Sequence, residues 1–387
     1  VQRLHLVAGF PHPTIVDPRF AAADPRSPAY STVVGYVHAG DAAIWTGHYL
    51  AAEAFRYAVT RSPDALANAR RALGGIQGLV DVTTPAQPDL LARFLWPDNW
   101  EYADRIAAAE AGHGVYRGAP GGVAHRWLGN TTRDQYSGVL FGLSVAFDLI
   151  DQPDVRARAA DLVTRLLGFL LRYYWSPPMP DGSFSTTFLQ RPDQQLSFLQ
   201  VGRRVNPARF RVVYQEYRTT YAAAVVAPIT VDCVDPHRSY YKFNLNHINL
   251  YNLIRLEESG GPRTAYMNAF QVLRSCTLNH ENAHFNLVER ALIGPDAARD
   301  IATQRYLGLW LQRPRRDYAV DLRSKYPACG DNRACRVIPV NERPNTDFLW
   351  QRSPFLLQAG GDGTVETAGI DYLLSYWMAR YYGLLGP

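Results

Sequence analysis

The sequence predicts an all-α protein, an (α/α)6 toroid of repeated helical hairpins with long rim loops. Three observations carry this expectation. Helical patterns of two kinds alternate, one apolar on nearly every side and one amphipathic. The amphipathic members tend to open on proline. A short motif, LNHxN, recurs after 33 residues, the length of one helix–turn–helix unit.

Residues 1–40 hold several prolines and no helical period. They are read as an extended N-terminal segment lying across a catalytic toroid of residues 41–387. The first inner pattern, Asp41 to Thr60, carries only Glu53 and Arg56 as charges after its first residue. A helix of that kind must be buried almost all round. Its partner, Asp64 to Val80, places Leu66, Ala69, Leu73 and Ile76 on one stripe and keeps Arg70 and Arg71 off it. Further inner helices are expected near 134–150, 193–203, 244–258, 281–293 and 369–385. Outer ones are expected near 154–174, 208–227, 262–277 and 295–312. Pro63, Pro153, Pro207, Pro262 and Pro295 head the outer helices. Proline is favoured at the first helical position, where its missing N–H has no intrahelical partner to lose. Residues 82–133 and 313–368 resist the repeat and read as long rim loops that wall a cleft.

Composition narrows the function classes. The 387 residues are 47% hydrophobic and 19% charged, a globular balance. The most apolar stretch, Val139 to Ile150, is interrupted by Gly142, Ser144 and Asp148, so no membrane span is expected. The net charge is +5, with Lys242 and Lys325 the only lysines. Basic residues do not cluster beyond Arg313-Pro314-Arg315-Arg316, and nucleic acid is not an expected partner. Cys233, Cys276, Cys329 and Cys335 fit two disulfides and an oxidising compartment. The chain opens on Val1 and is read as mature after loss of a signal peptide, hence secreted or periplasmic.

The informative positions are the starts of the inner helices, which converge if all begin on one rim. Asp41 opens the first, Asp134 the second, and Asp371 the last. His247 and Asn249 open a later one, and His280, Glu281, Asn282 and His284 another. Each has a structural reading beside the functional one: the acids as helix caps, the histidines as satisfied core residues, the asparagines as turn bonds. Their coincidence at one rim favours function. Two carboxylates across a funnel suit glycoside hydrolysis, one protonating the leaving oxygen and the other attacking or activating water. Asp41 and Asp134 lead, with Glu281, Asp362 and Glu366 as rivals; Asp362 and Glu366 are also candidate substrate contacts.

A uronate-cleaving polysaccharide lyase is the alternative on the same rim. Asn249 or Asn282 would neutralise the carboxylate, and His247, His280 or Tyr136 would remove the proton. Trp45, Trp100, Trp127 and Trp350 supply sugar-stacking faces, and Arg352 a carboxylate contact. His280-Glu281-Asn282-Ala283-His284 is a literal HExxH. On one helix it would place two imidazoles on one face for zinc, with Glu281 as base of a peptidase. A non-catalytic glycan-binding module is the remaining alternative.

With alternating helices, rim acids and the closing stretch Gly369 to Leu384 in place, residues 41–385 resemble the (α/α)6-toroid carbohydrate-active enzymes. That group includes glycoside hydrolases and polysaccharide lyases. The resemblance is architectural and implies an oligo- or polysaccharide substrate.

Overall fold

A computed structural model describes residues 1–7, 9–344 and 348–386. In chain order its strands and helices are β1 (Asp17–Phe20), β2 (Val33–Val37), α1 (Ala42–Thr60), α2 (Pro63–Asp81), β3 (Leu95–Pro97), α3 (Ala103–Ala109), β4 (Val115–Gly118) and β5 (His125–Leu128). There follow α4 (Arg133–Leu149), α5 (Pro153–Arg172), α6 (Pro192–Val205), α7 (Pro207–Tyr221), α8 (Val226–Val234), α9 (Tyr241–Arg255) and α10 (Gly261–Thr277). The chain ends with α11 (Ala283–Ile293), α12 (Ala297–Trp310), β6 (Arg316–Asp321), β7 (Gln358–Glu366) and α13 (Ile370–Tyr381).

The all-α expectation is overturned. The protein is 54% helix and 11% strand, with the strands in two antiparallel sheets. One sheet has the order β2-β1-β7-β6 and the other β3-β5-β4. The supposed loop 82–133 contains the whole second sheet, and 313–368 contributes β6 and β7 to the first. The N-terminal segment is not merely draped over the helices. Its β1 pairs with β7, Arg19 opposite Val365.

The helices follow their patterns closely. Among the described residues α1, α4, α6, α9, α11 and α13 pack each on the next, and α13 returns to α1. These helices are buried along at least half of their length, although α6 and α9 carry several buried polar residues, among them Asp193, Gln194, Asn246 and His247. Helices α2, α5, α7, α10 and α12 each pack on one of them and are exposed on the other side, α12 burying only Thr303 and Leu307. Proline starts α2, α5 and α7, but Pro295 lies ahead of α12, whose cap is Asp296 accepting from the Arg299 N–H at 2.8 Å. The disulfide Cys233–Cys276 joins α8 to α10, and Cys329–Cys335 closes the six-residue span before β7.

Two features of the ring position the site. First, α1 and α4 touch backbone to backbone. A methyl group at Gly47 would overlap the Gly138 carbonyl, and one at Gly142 would overlap the carbonyl of Gly47. Only glycine permits that approach. Secondly, one end of the ring is filled. Phe348 lies flat on Trp45, ring centres 3.7 Å apart, and Trp350 lies flat on His284 at 4.0 Å. The turn carrying them, Leu349–Gln351, packs on α9 and is anchored by the Leu349 N–H donating to Asp371. The open central funnel expected of a toroid is therefore plugged by aromatic rings.

The LNHxN duplication does not mark equivalent structure. Leu245–Asn249 lies within α9, whereas Leu278–Asn282 forms the turn before α11. Glu281 adopts the left-handed conformation, with φ of 49°, which breaks the second copy out of helix. The part that does correspond is the tail, Asn252-Leu253-Ile254 and Asn286-Leu287-Val288, both on buried inner helices.

Candidate active site

The close approach of α1 and α4 brings their first residues together. Asp41 precedes α1 and Asp134 lies in the first turn of α4. Between them sits Gln135, fully buried. Its carbonyl oxygen accepts from the Ile44 backbone N–H at 3.1 Å, which fixes which way the amide faces. Its Nε2 then donates to Asp41 Oδ1 at 3.3 Å and to Asp134 Oδ2 at 3.1 Å. One amide group thus sets the relative position of two carboxylates. Both carboxylates also sit at helix N-termini, where the backbone dipoles favour negative charge.

Arg93 completes the cluster from the segment leading into β3. Its backbone is held on both sides, by Leu128 O and by the Ala43 N–H. The buried guanidinium donates to Gly40 O at 2.7 Å, Asn130 O at 3.0 Å and Thr132 Oγ1 at 2.9 Å, and it lies 3.7 Å from Asp41. The Thr132 hydroxyl in turn donates to Asp134. The chain of contacts Arg93, Asp41, Gln135, Asp134, Thr132 closes on itself. The Asp41 side chain remains 40% exposed, and Asp134 is half-buried.

A cavity of about 820 Å³ begins at Arg133, the residue before Asp134. Thr186, Thr187, Gln190, Gln195 and Tyr221 line it. The adjoining Ser185 ties this wall to the acid pair by donating to Thr131 O at 2.8 Å. Arg191, also on the wall, is held by Asp193, Asp232 and Asn246. The wall mixes these hydroxyls, amides and an exposed tyrosine ring with the apolar Leu189, Pro192, Ala224, Ala227, Pro228 and Val231; Asp134 adjoins it in the chain, and neither acid of the pair lines it.

The other sequence-predicted residues are placed differently. Tyr136 is fully buried, its hydroxyl accepting from the Leu91 N–H at 3.4 Å, and burial raises its pKa. His247 and Asn249 do not open their helix, because α9 starts at Tyr241; both are buried. The His247 Nδ1 meets Phe243 O at 2.7 Å and its ring lies on Phe285, while Asn249 donates to Ser137 Oγ. Burial lowers the His247 pKa to about 3 and that of His280 to about 4. His280 contacts the Tyr240 hydroxyl at 3.0 Å.

The HExxH stretch does not lie on one helix. His280 and Glu281 precede α11, and Asn282 is the cap, accepting from the N–H groups of His284 and Phe285. The two histidines are therefore not one helical turn apart. Glu281 faces Arg305 at 3.2 Å. Among the described residues no group of His, Cys, Asp and Glu converges to hold a metal.

The tryptophans belong mostly to the core. Trp45 and Trp350 are part of the plug, Trp127 is buried in β5 against Tyr116, and Trp100 packs among Phe10, Tyr36 and Tyr102. Arg352 is exposed. Asp362 pairs with Arg19 at 3.5 Å and Glu366 with Arg315 at 2.5 Å, both on β7. Asp371 is buried, accepts from Trp310 and Leu349, and has its pKa raised by burial.

Sequence reasoning missed Arg93, Thr132 and Gln135. It also missed His48, fully buried on α1, whose Nδ1 meets Ile44 O and whose Nε2 meets Asn244. A lone histidine within the apolar run 41–60 was the available signal. Comparison with protein-family models, with curated proteins and with solved structures finds no match.

Proposed function

We propose that this chain hydrolyses a glycan, with Asp41 and Asp134 as the reacting carboxylates and the cavity beside Arg133 receiving the sugar chain. The observation that carries this is the single Gln135 amide donating to both acids. Two partly accessible carboxylates at a fixed spacing, near a cavity whose wall carries hydroxyls, amides and an exposed tyrosine, suit acid-assisted cleavage of an acetal. Bonds of 3.3 and 3.1 Å from one nitrogen leave the accepting oxygens closer than the roughly 6.5–9.5 Å carboxyl spacing that accommodates an inverting water. Double displacement is the matching chemistry. Asp41, with the Arg93 guanidinium beside it, attacks the anomeric carbon while Asp134 gives its proton to the departing oxygen. Water, deprotonated by Asp134, then cleaves the glycosyl ester.

The lyase alternative is less well supported, because its base and neutralising groups are buried and already bonded. A general base must reach the proton it removes, and Tyr136, His247 and Asn249 lie within the ring. The two disulfides suit an extracellular or periplasmic setting. None of the described helices is long and apolar enough to cross a membrane.

The test is incubation with a panel of neutral and acidic polysaccharides, following new reducing ends and the anomeric configuration of the first product by proton NMR. Release of sugar with retained configuration is expected. A product with near-ultraviolet absorbance would show elimination and overturn the reading, as would inversion for the double-displacement step.

A further inference from the structure

A second cavity, of about 760 Å³, lies where α4, α6, α9 and α13 end. The acid pair sits where α1 and α4 begin, so this cavity lies at the opposite end of α4. Four arginines line it, Arg203, Arg204, Arg211 and Arg255, against two carboxylates, Asp148 and Glu258. The balance is positive, although helix C-termini alone would favour cations by their dipoles.

The arginines do not have equal structural duties. Arg255 is fully engaged, donating to Asp148, Ser144 and Asn252. Arg203 donates to Gln200 and to the Leu256 carbonyl, which satisfies one of the free carbonyls near the end of α9. Its contact with Glu258 is loose, at 3.8 Å to a carboxylate 85% exposed. Arg204 commits Nε to Asp148 at 2.8 Å, which leaves its two terminal nitrogens at the cavity. Arg211 reaches in from the outer helix α7 and makes no hydrogen bond or ion pair among the described residues. Capping the helix ends accounts for Arg203 and Arg255 but not for the free donors of Arg204 and Arg211.

Each guanidinium is a planar, charged fork of the kind that recognises phosphate and sulfate oxygens, and both line the one cavity. Beside them stand the ring of Tyr381, 41% exposed, and the hydroxyls of Tyr251 and Tyr382, 2.6 Å apart. The space exceeds that of a bare ion, and an exposed tyrosine ring offers a stacking face. We propose that this cavity binds a sugar-sized molecule bearing a phosphate or sulfate ester, with Arg204 and Arg211 gripping the ester oxygens and Tyr381 covering the ring. The site stands apart from the acid pair and does not depend on the hydrolase reading.

Titration calorimetry with glucose 6-phosphate, glucose 6-sulfate and glucose, at matched ionic strength in chloride, tests it. At least one ester binds and glucose does not; which ester binds more tightly identifies the anion. Binding weakens by roughly tenfold in Arg211→Ala and in Arg204→Ala, and by more in the double variant, consistent with the loss of charge-assisted hydrogen bonds. Arg158→Ala, exposed on α5, leaves it unchanged. Absence of binding by both esters, equal binding by glucose, or full affinity in Arg204→Ala and Arg211→Ala would each overturn the proposal. Arg211 is exposed and makes no hydrogen bond or ion pair among the described residues, so its variant folds and keeps the test decisive.

Discussion

The Gln135 amide is engaged at both ends. Its oxygen holds the Ile44 N–H, and its nitrogen bridges Asp41 and Asp134. The acids themselves were legible in the sequence, because each stands at the start of a helical pattern. Gln135 was not, since a polar residue one position along from an acid carries no periodic signal. Arg93 lay in a stretch with no pattern at all. The buried histidines were half legible: the helical pattern locates them, but burial depends on tertiary packing. Burial lowers the pKa of His48 to about 4 and of His247 to about 3. Below pH 6.5 the unfolded chain therefore takes up protons that these folded residues exclude. Stability accordingly falls as pH drops from about 6.5 towards those values, each histidine contributing up to about 1.4 kcal/mol per pH unit. Asp317, pushed up to about 6 by burial, works in the opposite sense and offsets one histidine's share. Urea midpoints measured from pH 7 to pH 4.5 should decline, and His48→Gln should flatten the decline. A midpoint independent of pH would contradict this account.

At the scale of elements, the decisive contact is between α1 and α4. Helical period revealed both helices but not that Gly47, Gly138 and Gly142 face one another. A glycine within a helix lowers stability unless something requires it. Here a methyl at Gly138 would strike Ile44. Gly138→Ala is expected to cost about 1–3 kcal/mol through overpacking and also to displace Asp134, lowering cleavage. Gly74 on α2 is the control. A methyl there meets nothing within 4 Å, so Gly74→Ala should raise stability by about 0.5–1 kcal/mol. Thermal melting and cleavage assays on both variants separate the two cases. Equal effects would remove the argument for close helix approach. The HExxH and LNHxN patterns depart from the structure at this same scale. Each presumed a continuous helix, and the left-handed Glu281 ends that continuity.

Across the whole molecule, the helical hairpins were legible and the sheets were not. Stripes repeated over fifteen or more residues are readable, whereas β3 spans three residues and β4 and β5 four each. Strands that short, set among Pro and Gly, give too few alternations to register. Their pairing is long-range, as in Arg19 with Val365. The plug was equally hidden, since Trp350 looked like a sugar-stacking residue and is instead a core one. Trp350→Ala should cost about 3–5 kcal/mol by leaving a cavity against His284, with a matching fall in the denaturation midpoint. A loss below about 1 kcal/mol would place that side chain outside the core and contradict the packing described.

The central claim is that Asp41 and Asp134 act as a pair, and it rests on their accessibility and shared amide. The most direct measurement is kcat for Asp41→Asn and Asp134→Asn on a polysaccharide that the unaltered protein cleaves, with melting temperatures recorded alongside. Asparagine preserves size and hydrogen bonding but neither attacks nor donates a proton. The account predicts a fall of at least about 10³-fold in each variant, within the range of roughly 10²–10⁴-fold that loss of a general acid or base produces, with melting changed little. Substantial cleavage by either variant would contradict it.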